Sequence, residues 1–275
     1  MKLSCLPVSI FSDIINGTMT LKEWAAYAKE LKLDAVDLSV LLVKNRTPVC
    51  IAAAAEALKS EGVDVCMITT YPDFTHPDAA QRERELAHAL SDIALASSLG
   101  AKYIRLTAGQ VYDWEDEDKA LDIAAEYLLK AKKFADEMGV GILFENHSKP
   151  GAWEKPDALF DTGRFLKFAE KLKGTGIGIN FDTANTLAYG DDAVEVFKKV
   201  FDQVVTLHIN DCDAKGSLKF VVAGTGAAPI QEILEYAKKN GWNGWVCIEE
   251  AGFQGWDGVV KAAAYARELS EAIRK

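Results

Sequence analysis

The sequence predicts an α/β protein, a single-domain (β/α)8 TIM barrel, and three observations predict it. Short β-branched runs alternate with longer amphipathic runs along the whole of the 275 residues. Strict alternation of this kind demands a parallel sheet with right-handed crossovers. Eight such units follow one another with no linker and no shift in composition, which favours closure into a barrel, a fold that commonly takes about 250 residues. No glycine-rich dinucleotide-binding turn follows the first strand, which argues further against an open doubly wound sheet. The span 1–275 is therefore read as one domain.

The units follow one another in chain order. KLSCLPVSI is the first strand and TLKEWAAYAKELK its helix; AVDLSVLL and CIAAAAEALKSEG form the second unit. VDVCMITTY with DAAQRERELAHALSDIALASSLG makes the third, and AKYIRLTAG with DKALDIAAEYLLKAKKFADEMG the fourth. VGILFENH precedes RFLKFAEKLKG, and GIGINFDTAN precedes DAVEVFKKVFD. VVTLHIND precedes APIQEILEYAKKNG, and GWVCIEEAG precedes DGVVKAAAYARELSEAIRK. Apolar residues recur at steps of three and four in the helical runs, as a helix packed on one face requires. Several of these runs close on glycine before the next strand (SEG, SLG, EMG, KNG), where a left-handed helix cap favours that residue.

Composition bounds the function. With 49% hydrophobic and 26% charged residues, the chain can bury a sizeable core and disorder is not expected. The formal net charge of -10 argues against nucleic acid, which needs clustered Lys and Arg, and gives no attraction to an anionic membrane. No run is long enough to span a bilayer, and the N-terminal segment MKLSCLPVSIFSD lacks a signal-peptide cleavage site. The five cysteines (Cys5, Cys50, Cys66, Cys212, Cys247) include no CxxC pair, and most lie in apolar runs, which fits a reducing cytoplasm. A homo-oligomer is compatible with all of this.

Four consecutive strands end in a candidate metal ligand: Glu145 in ILFENH, Asp182 in GINFDTAN, His208 in VTLHIND and Glu249 in VCIEE. Spacings of 37, 26 and 41 residues suit one βα unit per ligand. The C-terminal strand ends of a barrel converge on its mouth, so the four can meet there. Alternation along each strand supports an inward orientation. Positions reached by counting back in twos from the ligands include Gly141, Asn180 and Gly178, Thr206 and Cys247, which are small or polar. The opposite parity gives Phe144, Phe181, Leu207 and Ile248, suited to pack on helices. This parity also selects Glu249 over Glu250, although Trp245 on the inner side is bulky.

The competing account is that each acid or imidazole merely caps a strand end or pairs locally. Agreement of four strands favours a metal, because three adjacent carboxylates repel unless a cation lies between them. Oxygen-rich ligation with one imidazole points to one divalent ion, Mn²⁺ first, with Mg²⁺, Co²⁺ or Zn²⁺ as alternatives.

With these motifs in hand, the chain resembles the xylose isomerase-like barrels, which include sugar and sugar-phosphate isomerases and epimerases. The resemblance spans nearly the whole chain and is strongest in FENH, NFDTAN, LHIND and NGWNGWVCIEE. IRLTAGQ and the GTG turn at Gly224–Gly226 add to it. It implies that Glu145, Asp182, His208 and Glu249 bind the metal and that the two glutamates double as an acid–base pair. One departure concerns substrate. Ketose 3-epimerases carry a His soon after the metal Asp and an Arg after the metal His, whereas this chain reads DTANTLAYG and HINDCDAKG.

Further residues are read as substrate contacts. His147 shares the parity of Glu145, Arg105 ends the fourth strand on the inner side, and Asn185 follows Asp182 by three residues. Trp153 sits in the long loop HSKPGAWEKPD, which can cover the mouth. His76 reads as a turn residue, and Asp211 as an acceptor that could orient His208. GTGAAP precedes a helix and could in principle hold a phosphate, but no Lys or Arg adjoins it. The sequence thus points to a metal-dependent isomerase or epimerase acting on a small sugar or polyol-like hydroxy-ketone through an enediolate. A lyase or dehydratase sharing that intermediate is the alternative, and a non-catalytic partner subunit the third. Abasic-site DNA repair, which needs more His and Asp ligands, is disfavoured by four histidines and the acidic charge.

Overall fold

A computed structural model describes residues 1–148 and 153–274. Eight parallel strands form one sheet: β1 (Lys2–Leu6), β2 (Ala35–Ser39), β3 (Asp64–Thr69), β4 (Tyr103–Arg105), β5 (Gly141–Glu145), β6 (Gly178–Asp182), β7 (Val204–Ile209) and β8 (Trp245–Glu249). The order β1-β8-β7-β6-β5-β4-β3-β2 curls the sheet into a nearly closed barrel, a single domain. At the seam, Asp34 N donates to Leu3 O at 2.8 Å and Leu3 N donates to Asp34 Oδ2 at 2.8 Å, joining β1 to the approach of β2.

Eight principal helices surround the strands: α1 (Leu21–Glu30), α2 (Pro48–Ser60), α3 (Ala79–Ser98), α4 (Glu117–Met138), α5 (Thr162–Leu172), α6 (Ala193–Val200), α7 (Ile230–Lys239) and α8 (Gly255–Arg274). Local chemistry sets their starts. Thr20 Oγ1 accepts from Glu23 N while Glu23 Oε2 accepts from Thr20 N, a reciprocal cap that satisfies two otherwise unpaired backbone donors. The glycines that follow the second, third, fourth and seventh helices all take left-handed φ values between 70° and 79°. The eighth-strand helix begins earlier than DGVV, at Gly255, and β4 is only three residues long. The tail of AVDLSVLL is a 3-10 turn, Val40–Leu42, and Asn185–Tyr189 is a short helix. No helix among the described residues is long and apolar enough to cross a membrane.

The main core lies between strands and helices. Phe144, Phe181, Leu207 and Ile248, the outward parity, are buried there with Phe165, Phe168 and Phe197 from α5 and α6. Aromatic rings meet through this layer, Phe144 edge-on to Phe168 at 5.2 Å and Phe181 tilted against Phe197 at 5.2 Å between centroids. A separate buried cluster fills the barrel itself: Ala35, Cys66, Met67, Leu143, Trp245 and Cys247. The inner layer is therefore less uniformly small and polar than alternation suggests, because Leu143 and Met67 join Trp245 below the mouth. Gly178 makes room for this filling: a Cβ there would fall 2.4 Å from Val205 Cγ2 and 3.0 Å from Leu143 Cδ2.

Candidate metal centre

The C-terminal ends of β5, β6, β7 and β8 bring Glu145, Asp182, His208 and Glu249 together. One ligand atom from each lies within 4.8 Å of all the others, and the four residues are buried. His208 Nδ1 stands 3.3 Å from Glu145 Oε1 and 3.4 Å from Glu249 Oε2, so this nitrogen faces the carboxylates. Register places Asp182 beside His208 on the neighbouring strand. Asp182 Oδ1 accepts from Ala184 N at 2.8 Å and Asn185 N at 2.7 Å, which fixes the side chain while Oδ2 has no hydrogen-bond partner. Glu145 Oε2 accepts no hydrogen bond either, although the Arg105 cation stands beside it. Buried acceptors without donors cost free energy, and a divalent cation at their centre would remove that cost. Three hard oxygens and one imidazole nitrogen fit such an ion.

Without a cation, the mutual repulsion of the carboxylates is met by protons on Asp182 and His208 while Glu145 stays ionised. Burial drives the Asp182 carboxyl well above the usual carboxylate range, reinforced by the charges of Glu249 and Glu145. Burial also opposes ionisation of Glu145, but His208 and Arg105 outweigh it and hold that carboxyl at about 2. Burial pushes the His208 imidazole down, yet Glu145 and Glu249 more than offset this and leave it well above its ordinary value. Protons thus stand where a cation would.

Arg105, at the end of β4, is fully buried. Its Nε lies 3.1 Å from Glu145 Oε2, an ion pair whose alignment falls short of a hydrogen bond and leaves Nε and Nη1 without hydrogen-bond partners. The guanidinium also sits over the Tyr71 ring at 5.0 Å. His147 Nδ1 lies 2.9 Å from Asp157 Oδ2, and Asp157 Oδ1 accepts from Leu159 N, so a buried acid sets the imidazole orientation. The His147 ring is 6.2 Å from Tyr71 and 6.5 Å from half-buried Trp153. Asn185 is buried and its Oδ1 accepts from Ser148 Oγ, which ties the β5 loop to the β6 loop. The expectation for the loop HSKPGAWEKPD falls partly on residues 149–152, which lie outside the described residues.

One sequence expectation is corrected. Asp211 does not orient His208; its carboxylate accepts from the backbone N–H groups of Gly224 (2.9 Å), Gly226 (2.8 Å) and Ala228 (2.9 Å). Those are donors a phosphate at GTGAAP would need, so the chain's own anion takes the place of one. Glu250 turns away from the ligands and its Oε1 accepts from Gly252 N at 2.9 Å. His76 keeps a turn role, its Nδ1 accepting from Asp78 N at 3.1 Å.

Sequence reasoning missed the amides that hold the ligands. Asn146 Nδ2 donates to Asp182 O at 2.9 Å and Asn146 Oδ1 accepts from Asp182 N at 2.8 Å, clamping β6 to β5. Asn210 Nδ2 donates to Glu249 Oε2 at 3.3 Å. Both follow a ligand within two residues, the signal that was available. Tyr71, which ends VDVCMITTY, and Asp157, which closes HSKPGAWEKPD, carried none, since contacts made by loop residues are set by tertiary approach.

Comparison with known proteins places these features in context. A family model described as "Xylose isomerase-like TIM barrel" matches residues 25–275. A Streptomyces coelicolor protein called "Putative hydroxypyruvate isomerase" is 25% identical over 251 residues, covering 86% of this chain and 88% of its own. A "D-tagatose 3-epimerase-like protein" superposes with a TM-score of 0.79 at 17% identity, over 100% of this chain and 98% of that one. The "probable 3-DHS dehydratase AsbF" of Bacillus anthracis superposes at 0.78 with 15% identity, over 97% and 99%. At these identities the structural matches speak for the fold.

Proposed function

The chain belongs to the xylose isomerase-like TIM barrel family, and from that premise we propose that it is a divalent-metal-dependent isomerase or epimerase of a sugar-like hydroxy-ketone. The observation that carries this is the convergence of Glu145, Asp182, His208 and Glu249 within 4.8 Å at the barrel mouth. A divalent ion held there, Mn²⁺ by preference, would polarise adjacent carbonyl and hydroxyl oxygens and acidify the C–H between them. His208 offers Nδ1 to it, and Asp182 offers Oδ2.

Glu145 and Glu249 approach the centre from opposite sides of His208. One removes the substrate proton as the enediolate forms; the other returns it, to the same face or the opposite one. Arg105 keeps Glu145 ionised, as a base must be, and its second nitrogen is available to a substrate oxygen. Asn210 steadies Glu249. His147, oriented by Asp157, presents its other ring nitrogen to substrate, while Trp153 and Tyr71 wall that side. Asn185 shapes the floor of the same pocket through Ser148. The substrate is a small sugar or polyol derivative rather than a polymer.

A second reading, elimination of water from the same enediolate, is supported by the His147–Asp157 pair at 2.9 Å, which can protonate a departing hydroxyl. Incubation of metal-loaded protein with a panel of ketoses and keto-polyols in deuterated water tests both. Isomerisation or epimerisation gives products that carry solvent deuterium at unchanged composition, and elimination gives a product lighter by one water. Absence of metal from the purified protein, with no exchange of any substrate, overturns both.

A further inference from the structure

Below the mouth, a second set of donor atoms meets inside the barrel. Asp37 on β2, Cys66 on β3 and Cys247 on β8 each offer an atom within 4.8 Å of the others. All three residues are 0% exposed, so this is no solvated acidic patch. The two sulfurs stand 3.9 Å apart. Ser4 Oγ on β1 donates to Asp37 Oδ2 at 2.8 Å, and Met67 N donates to Asp37 Oδ1 at 3.1 Å.

The backbone goes out of its way to build this arrangement. Along β2 and β3, Val36 pairs with Val65 but Asp37 pairs with Met67, so Cys66 is an extra residue opposite no partner. Such a bulge re-aims a side chain. Here Cys66 turns into the interior cluster beside Met67 instead of joining the helix-facing layer. On the far side, Cys247 is in register with both Ser4 and His208, so the cluster lies one strand across from a mouth ligand.

The composition is also hard to explain as filling. The Asp37 carboxyl is enclosed between two thiols with no exposed surface, and burying a carboxylate costs free energy unless it is paired with a cation. An aliphatic side chain at position 37 would fill the space without that cost. Two thiolates each about 2.3 Å from one tetrahedral ion stand about 3.8 Å apart, close to the observed sulfur separation.

We propose that this interior cluster is a second metal site, in which Cys66 Sγ, Cys247 Sγ and Asp37 hold one zinc-like divalent cation with Ser4 Oγ as fourth donor. Binding exchanges two S–H bonds for two S–metal bonds. Both thiol protons, and that on Asp37 where present, pass to solvent, and no electron moves. The site is closed, so the ion enters as the barrel forms. Sulfur donors select softer ions than the three carboxylates above, so the two sites sort different metals.

The test uses cobalt and zinc alone as probes. Protein produced with cobalt in place of zinc is expected to show an intense thiolate-to-cobalt absorption in the near ultraviolet, which the sulfur-free mouth cannot give. Asp182→Asn, which disables the mouth, retains this band. Cys66→Ser and Cys247→Ser each lose it and lose one metal equivalent. Zinc-grown wild-type protein is examined by X-ray absorption, so the question is decided even where a serine variant fails to fold. A shell of sulfur at about 2.3 Å supports the site. Cobalt protein without the band, a zinc shell of oxygen and nitrogen only, or a band surviving in both serine variants overturns it.

Discussion

The two glutamates at the mouth are chemically unequal, and that inequality defines the first experiments. Glu145 is flanked by Arg105 and His208, whereas Glu249 is flanked by Asn210 and His208. As acid and base, Glu145→Gln and Glu249→Gln should each keep most of the metal yet lose turnover by about 10² or more. Elemental analysis beside initial rates checks this; full activity returning with excess metal would make them ligands only. In an epimerase with one base per face, each single variant still exchanges the substrate proton with solvent from its surviving side. The Arg105 cation gives a second expectation. Together with His208 it holds Glu145 at about 2, so the wild-type protein has Glu145 ionised above that value. Removing the cation in Arg105→Met raises that carboxyl, and the group is then protonated as pH falls through its new value. The acid limb of the rate profile should accordingly move to higher pH in Arg105→Met and less so in Arg105→Lys. A superimposable profile in Met would show that Arg105 does not act through Glu145.

At the scale of elements, strand alternation was the strongest signal in the sequence because a strand end fixes both the position and the direction of a side chain. It brought out Glu145, Asp182, His208 and Glu249 and separated Glu249 from Glu250. It failed where backbone departs from period two. The bulge at Cys66 shifts an otherwise alternating strand; Leu143 does keep the inward parity of Glu145, but the space that admits so large a side chain is left by Gly178 on the next strand. Loops were opaque for a different reason: their partners are set by tertiary approach. Asp211 reads equally well as a histidine partner or a loop anchor until its three backbone donors are seen. Asp211→Ala leaves those N–H groups without their acceptor, at a cost of about 1–3 kcal/mol in total because they are only partly buried. Thermal unfolding should drop by several degrees with metal content unchanged. Loss of metal at an unchanged unfolding temperature would instead return Asp211 to the service of His208.

For the whole molecule, the barrel's stability and its chemistry are drawn from different layers. The large apolar core lies between strands and helices, while the four mouth residues add buried charge, and Glu145 Oε2, Asp182 Oδ2 and His208 Nε2 add unmet hydrogen-bonding capacity. Asp182→Asn and His208→Ala are therefore expected to abolish metal binding and activity together and still unfold cooperatively well above room temperature; unfolding at room temperature would make the site structural. The same separation fixes how metal and pH combine. In the metal-free protein, His208 and Asp182 both stand above their ordinary values. A group raised in the folded state stabilises fully below its unfolded value, and that contribution fades as pH rises through the folded one. Metal-free protein should thus weaken as pH climbs from the ordinary carboxylate range upward, first through Asp182 and then through His208. Glu145 works in the opposite sense, but only as pH falls from its ordinary value toward about 2. A cation displaces the protons on Asp182 and His208, so its affinity grows with pH, and it stabilises only the folded chain. At a hundredfold excess over its dissociation constant that stabilisation is about 2.7 kcal/mol. The rise in unfolding temperature on adding Mn²⁺ should then be larger at about pH 8 than at about pH 6, with proton release detectable by calorimetry in buffers of different ionisation enthalpy. Asp182→Asn should show neither the rise nor the release. An equal shift at both pH values, without proton release, would mean that the ion binds somewhere other than these four side chains.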